Sequence, residues 1–572
     1  MSEEQTHRQI GKGWRLALVL GMLAAITFGI GFKLISLYVE EQEFLQNQGD
    51  ARSLRVIQVP AHRGIITDRN GDPIAVSAPV ATVWVDPKMA DLNHVSLAKL
   101  AQELGTSRTA LVKKISAKRG KRFMYLKRQV EPVVADRIRA LKVPGIHVER
   151  DYKRFYPAGE VASHLVGFTN RDGKGQEGLE LSYEKALRAE PGKQLVLKDL
   201  LGRTVKHIRS ESAAQHGQSL QLTIDMRLQY LAYRELKAAV TAHKADAASL
   251  VMLDAKTGEV LAMANYPSYN PNNPADRVSS TIRNRAVTDL FEPGSTMKPM
   301  TVAAALMSGK YGMRSVVDTT PGYMRVKGKT IRDHRNYGEL DITGIITKSS
   351  NVGSAKLALS LEPGTLHHLL QNVGLGTATG IGFPGERSGR LPYLAESQIL
   401  QRATMSYGYG LSVTPLQLAQ AYLPLANDGI LSPVSLLHTE KPLPPVRVMP
   451  AQVARSVRGM METVISIKGT GKQASIPGYR VAGKTGTVHK VGSGGYIEDQ
   501  YISVFAGIAP ASDPKVITVV MVDNPRNQEY YGGEVAAPIF SRAVGGTLRL
   551  LNVPPDNLIQ PDQRVDQQMV QR

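Results

Sequence analysis

A serine followed three residues later by a lysine can pair a hydroxyl nucleophile with a nearby amine, and the chain offers this at Ser295-Thr296-Met297-Lys298. Pro293 and Gly294 break the chain just ahead, and STMKPMTVAAALMSG predicts a helix that stops at Gly309. Ser295 then opens the helix, with Lys298 one turn on and on the same face. An unactivated serine needs a base before it can attack a carbonyl. A lysine serves if burial, a second cation or the positive end of a helix lowers its pKa. The expected chemistry is acylation of Ser295, with Lys298 taking its proton.

The spacing alone is weak, because Ser96–Lys99, Ser182–Lys185 and Ser512–Lys515 share it. Order adds what spacing lacks. Downstream of Ser295 come Ser349-Ser350-Asn351 and then Lys484-Thr485-Gly486-Thr487. S-x-x-K, S-D-N and K-T-G together are the signature of class A β-lactamases and penicillin-binding proteins. Here Ser350 stands where that pattern has aspartate, a departure of little consequence if only the Ser349 and Asn351 side chains reach the site. Lys256-Thr257-Gly258 and Ser268-Tyr269-Asn270 mimic two of the elements but precede Ser295. The first joins two apolar runs and predicts a hairpin loop without chemistry.

Positioning these segments requires a large fold. The chain has 572 residues, enough for two or more domains, and its 42% hydrophobic and 21% charged content suits a sizeable core. A net charge of +20 fits a solvated basic surface or attraction to anionic lipid, an acidic polymer or nucleic acid. Nucleic acid is disfavoured, since no nucleic-acid motif is present and the basic residues read as dispersed rather than interleaved with aromatics. The absence of cysteine removes disulfides, thiol catalysis and cysteine metal sites. Thirteen histidines include no H-E-x-x-H, and His367-His368 are adjacent rather than one turn apart, so no metal is expected.

In chain order, residues 1–15 are a polar tail carrying Arg8, Lys12 and Arg15, and 16–38 form a mostly apolar stretch whose one charge is Lys33. That length suits a membrane-spanning anchor with a cytoplasmic N-terminus. A cleaved signal peptide is the rival, but the stretch is long for one and lacks a small-residue cleavage site. Residues 39–220 read as a non-catalytic domain, beginning with a polar stalk from Glu40 to Val59. It contains a strand into an Asn70-Gly71 turn, a strand at ATVWVDP, and basic helical sequence over 91–142. Arg63, Arg154 and Glu180 are expected to be structural ion pairs within it. Residues 221–550 carry the three motifs, with a helix beginning at Lys348 that projects Ser349 and Asn351 from its first turn. Gly408 and Gly410 suit tight turns, YISVFAGIAP and KVITVVMVD suit strands, and 551–572 suit a loose polar tail.

Across nearly its whole length the chain resembles the class B penicillin-binding proteins, and most closely their septal transpeptidase branch. The resemblance rests on the anchor, RSLRVIQVPAHRGIITDRNG, RFYP, EGLE, RNRAVTDLFEPGSTMKPM, S-S-N and GKTGT. It implies an α+β multidomain chain: a single transmembrane helix, an elongated pedestal of the dimerisation type, and a serine β-lactamase-like transpeptidase domain whose antiparallel sheet is flanked by helices. It also implies a serine D-Ala-D-Ala transpeptidase in the inner membrane, periplasmic and septal, needing no cofactor and acylated by β-lactams. Ser295, Lys298 and Ser349 would be catalytic, and Asn351, Lys484, Thr485, Gly486 and Thr487 would bind substrate. The implied partners are peptidoglycan stem peptides, an FtsW-like glycan polymerase and other divisome proteins. The alternatives are an elongation-specific transpeptidase, a D,D-carboxypeptidase or β-lactamase, and a β-lactam-binding sensor.

Overall fold

Alternation within the apolar runs explains how the two largest cores form around one sheet. The computed structural model describes residues 4–39, 43, 53–199, 204–492 and 494–557, with side chains from residue 13 onward. Strand Ala247–Asp254 is buried along nearly its whole length: Val251 and Leu253 face one core, Leu250 and Met252 the other. Successive strand side chains point to opposite faces, so a strand covered on both sides reads as a continuous apolar run. Five antiparallel strands stand in the order Val260–Tyr266, Ala247–Asp254, Val516–Asp523, Gly495–Ala509, Ala482–Gly492. The K-T-G strand therefore lies at the sheet edge, and the Lys256-Thr257-Gly258 decoy is the hairpin loop at the far side.

Helices Met226–His243 and Gly532–Leu550 bury Leu228, Leu236, Val535 and Phe540 against one sheet face. Helices Lys298–Met307, Pro415–Ala426 and Ala451–Glu462 cover the other. Pro415–Ala426 is buried on every side, as its charge-free sequence requires. Its start is fixed by Pro415 and by a reciprocal cap between Thr414 and Gln417.

The chain divides into two compact units, Met1–Ala61 with Ala189–His216, and His62–Arg188 with Gly217–Arg572. In the first, helix Glu4–Val39 includes a 27-residue stretch, Gly13–Val39, that is long and apolar enough to cross a membrane. The same unit holds an antiparallel sheet in which Gly192–Lys198 lies between Leu54–Val59 and Thr204–Ser212. Strand Leu54–Val59 occupies the end of the expected stalk; residues 40–42 and 44–52 lie outside the described residues, as does the tail from 558.

In the second unit, strand Pro73–Val85 pairs with both Met124–Val130 and Ile146–Phe155. Helices Leu97–Glu103, Arg108–Ser116 and Pro132–Ala140 bury Leu100, Ile115 and Ile138 against Val83 and Val85. The helical reading of 91–142 is thus corrected: Met124–Val130 is a strand, in which Met124 and Leu126 pack against the helical core while Tyr125 and Lys127 between and after them are exposed. Nearby, Glu180 is wholly buried and takes Arg63 and Arg154 at 2.5 Å each, while Arg63 also reaches Glu184 at 2.7 Å. These are the structural ion pairs expected of Arg63, Arg154 and Glu180.

Candidate active site

Ser295 does not open an α-helix directly. Gly294–Met297 is a turn of 3₁₀-helix, and the α-helix runs from Lys298 to Met307. In a 3₁₀ turn residues i and i+3 eclipse, so the tighter winding brings Ser295 and Lys298 into line more directly than an α-turn does. The turn is held from several sides. Tyr422 Oη donates to Thr296 O at 2.7 Å, Thr301 Oγ1 to Ser406 O at 2.7 Å, and Gly294 N to Gly408 O at 3.1 Å.

Lys298 is fully buried, and its Nζ lies 2.9 Å from Ser295 Oγ, 3.0 Å from Ser349 Oγ, 2.5 Å from Ser349 O and 2.8 Å from Asn351 Oδ1. Four oxygens surround a group that has three N–H bonds as an ammonium and two as an amine. The carbonyls of Ser349 and Asn351 can only accept, so they take the two N–H bonds of the neutral form. Its lone pair is left for a hydroxyl proton. Burial, and next the charge of Lys484, push the Lys298 pKa well below the usual lysine range, while Asp333 opposes the shift. Geometry and electrostatics both favour a neutral amine facing Ser295.

Ser349 occupies a strained link. Helix Ile342–Thr347 ends just before it and helix Asn351–Ser360 begins just after, and Ser349 itself sits at φ 58. It is therefore not on the first helical turn, as its sequence predicts, but in the left-handed connection, which turns its side chain and carbonyl toward Lys298. A non-glycine residue held there marks a place where surrounding contacts overrule local preference. Ser350 supplies some of those contacts: it caps the helix through Gly353 N and points away from Lys298. The substitution in the S-D-N pattern falls on a capping position, and only Ser349 and Asn351 reach the lysine.

Asp333 lies in no motif, yet it organises this segment. Its carboxylate accepts from Asn351 N at 2.5 Å, Val352 N at 3.0 Å and Ser350 Oγ at 2.6 Å. The negative charge suits the exposed N–H groups at the start of a helix. Asp333 follows strand Lys329–Arg332, and its neighbours IRDHRNYG carry no spacing that would flag it. Asn351 Nδ2 donates to Arg332 O at 2.9 Å, leaving one amide N–H for another acceptor.

Lys484 completes the cluster. It is fully buried, donates to Ser349 Oγ at 3.0 Å and Thr485 O at 3.2 Å, and burial lowers its pKa to about 7. Thr485 Oγ1 pairs with Thr470 Oγ1 at 2.7 Å. Thr487 Oγ1 accepts from Gly532 N at 2.9 Å, which leaves its own O–H directed elsewhere. Gly486 packs close to the nucleophile turn: an added Cβ would stand 3.1 Å from Pro293 O. The side chains of Ser295, Lys298, Ser349, Asn351 and Lys484 thus converge, from a 3₁₀ turn, two helix starts, a left-handed link and an edge strand.

Residues 248–545 match the family model described as the penicillin-binding protein transpeptidase domain, and 58–222 match the penicillin-binding protein dimerisation domain. The chain is 46% identical over 555 residues to the peptidoglycan D,D-transpeptidase FtsI of Escherichia coli K12, covering 96% of this chain and 94% of that one. It is 39% identical to the probable peptidoglycan D,D-transpeptidase PenA of Neisseria meningitidis, covering 97% and 95%. Among solved structures it is similar to penicillin-binding protein 3 of Mycobacterium tuberculosis complexed with aztreonam, at 30% identity and a TM-score of 0.68, covering 88% and 98%. The transpeptidase domain of penicillin-binding protein 3 from Burkholderia pseudomallei aligns at 42% identity and a TM-score of 0.54, covering 59% and 98%.

Proposed function

From the premise that the chain belongs to the class B penicillin-binding proteins, with dimerisation and transpeptidase domains, we propose that Ser295, Lys298 and Ser349 carry its reaction. The protein is a peptidoglycan D,D-transpeptidase, a serine-type enzyme acting on D-Ala-D-Ala stems and bound by β-lactams. The observation that supports the assignment is the 2.9 Å approach of a buried, carbonyl-held Lys298 Nζ to Ser295 Oγ.

In the proposed course, Ser295 Oγ attacks the carbonyl carbon between the two terminal D-alanines as its proton passes to Lys298 Nζ. Backbone N–H groups of Ser295 and Thr487 hold the oxyanion; losing one such donor typically costs about 3 kcal/mol of transition-state stabilisation. The C–N bond then breaks, and Ser349 Oγ hands the departing D-alanine its proton, replenished from Lys298 3.0 Å away. An ester to Ser295 remains. An amine of a neighbouring stem peptide attacks that ester and forms the cross-link, and Ser295 leaves as a hydroxyl with the proton returned through Lys298. Lys484 and the hydroxyls of Thr485 and Thr487 draw in the terminal carboxylate, with Gly486 keeping the edge strand close to the nucleophile. The remaining N–H of Asn351 holds the substrate backbone.

The wider reading places helix Gly13–Val39 across the inner membrane with a cytoplasmic N-terminus, the catalytic domain in the periplasm, and the enzyme at the division septum beside an FtsW-like glycan polymerase. It keeps residues 39–220 as the non-catalytic pedestal and 221–550 as the transpeptidase domain. The decisive experiment is intact mass after brief penicillin exposure, followed by mapping of the modified peptide. One penicilloyl group on Ser295, absent from Ser295→Ala, is expected; modification at another serine would reject the assignment.

A further inference from the structure

The sheet face opposite the pedestal's small helical core carries an aromatic cluster that the transpeptidase site does not use. On strand Pro73–Val85, Val83 and Val85 point into that core, while Trp84 lies on the other face, in register with Tyr125 and His147 of the flanking strands. Trp84 stacks on His147 with ring centroids 4.1 Å apart, Phe123 sits 5.0 Å from Trp84, and Tyr125 sits 4.7 Å from Phe123. Phe123 and Tyr125 are 46% and 48% exposed. Trp84, Tyr125 and His147 stand on three adjacent strands with Phe123 just ahead of one of them. Phe123 meets Tyr125 edge-on at 83°, so the rings form a contiguous, partly open cluster in which each exposed ring can offer a separate face.

The same segment is strongly cationic. Residues 113–128 hold eight lysines and arginines and no acidic residue. This corrects the dispersed-charge reading for that stretch, where Phe123 and Tyr125 interrupt a basic run. Lys118, Arg119, Lys121 and Arg122 are exposed, and among the described residues none of their side chains meets a carboxylate. Arg128 lies over the Tyr125 ring at 5.2 Å and donates to Asp172 at 2.9 Å. Glu149 and Asp151 stand farther along the aromatic face, on strand Ile146–Phe155, and bound the cationic zone.

We propose that this face binds an uncross-linked peptidoglycan strand: pyranose rings lie on Phe123 and Tyr125, and stem-peptide carboxylates meet the cations of 113–128. The proposal rests on the peptidoglycan reading of the active site. Flat apolar ring faces suit the axial C–H surface of sugars, unpaired cations suit a polymer with carboxylates at regular intervals, and the established substrate is such a polymer. Charge alone would favour any polyanion; the fixed rings are what select a glycan.

The test uses the full chain in zwitterionic-lipid nanodiscs, acylated with penicillin so that the transpeptidase site is closed, and fluorescent uncross-linked peptidoglycan strands. Saturable binding is expected, weakened about tenfold in Phe123→Ala/Tyr125→Ala, the order expected from losing two stacking contacts. Lys121→Glu/Arg122→Glu should weaken binding and flatten its salt dependence. Absence of binding by the acylated protein, or binding unchanged in the aromatic variant, would overturn the proposal. So would equal displacement by a single-stranded oligonucleotide of matched charge, or loss of binding when the nanodiscs contain anionic lipid. Acylation by fluorescent penicillin, measured separately, keeps the two readings apart. Its failure in the wild type strikes the active-site assignment, and its retention in both variants shows them folded.

Discussion

The carboxylate of Asp333 accepts the hydroxyl of Ser350 at 2.6 Å, and that contact fixes the left-handed link from which Ser349 reaches both lysines. Replacing the carboxylate removes a charge-assisted acceptor from Ser350 and two backbone N–H groups, contacts of about 1.5–3 kcal/mol apiece when the acceptor is charged. Asp333→Asn should slow penicillin acylation about tenfold or more, since a loosened link misplaces Ser349 and Asn351 around Lys298. Asp333 also raises the Lys298 pKa against the larger effects of burial and Lys484. Its removal should therefore move the acidic limb of the acylation profile to lower pH. Stopped-flow acylation across pH reads both effects; an unshifted limb would mean that Lys298 is not the titrating base.

Lys484 provides a stability test whose sign follows from burial. Its folded pKa is about 7 against an ordinary 10.5, so between those values the unfolded chain binds a proton that the folded chain does not. Folding stability from this group therefore rises as pH increases from about 7 to about 10.5, and the penalty is greatest below about 7. Lys484→Met removes the penalty. The variant should melt above the wild type near pH 7, with the gap closing toward pH 10, while acylation by penicillin falls at least about a hundredfold through loss of the carboxylate partner. Thermal melts of both proteins across that range check the sign, and a gap that widens with pH would refute it.

Much of the site was legible because its chemistry is written in short, ordered motifs. Ser295 and Lys298 lie one turn apart in any helical geometry, and K-T-G leads into T-V-H-K-V, where apolar and polar residues mix as they do along a half-buried strand. The edge position of that strand was not legible, because it depends on Val516–Asp523 inserting between Gly495–Ala509 and Ala247–Asp254. Asp333 was hidden for a related reason: its partners are 17 to 19 residues away, and no local pattern marks a carboxylate that caps a distant helix. Ser349 was misplaced by one structural step, since helical propensity on both sides gave no sign of a positive φ between them. The strand Met124–Val130 was masked by the lysines and arginines around it and by its own adjacent Lys127 and Arg128, which break the two-residue alternation and make the stretch resemble a basic helix.

The pedestal ion pairs separate stability from chemistry. Arg63 and Glu180 are 7% and 0% exposed, and removing one partner from a buried pair leaves the other uncompensated, at a cost of about 3–5 kcal/mol. Arg63→Ala should lower the melting temperature by several degrees, yet the folded fraction should acylate at nearly the wild-type rate. Calorimetry alongside titration with fluorescent penicillin tests this. Loss of acylation at an unchanged melting temperature would show that Arg63 acts on the site rather than on the fold.

The nucleophile turn is gripped by backbone as well as by side chains. Gly408 has φ +85, and a Cβ added there would stand 2.1 Å from Gly294 O and 2.5 Å from Gly294 N, immediately beside Ser295. Gly410 has nearly the same backbone, φ +80, but open space around its would-be Cβ. Both alanine variants incur the left-handed strain, about 1 kcal/mol or somewhat more. Only Gly408→Ala must also push the Gly294–Met297 turn away, because the clashing atoms are backbone and have no side-chain freedom to absorb it. Gly408→Ala should thus lose acylation by more than about tenfold beyond any loss of stability, whereas Gly410→Ala should keep near-wild-type acylation. Equal rates in the two variants, measured per folded molecule, would mean that the position of Ser295 does not depend on that backbone contact.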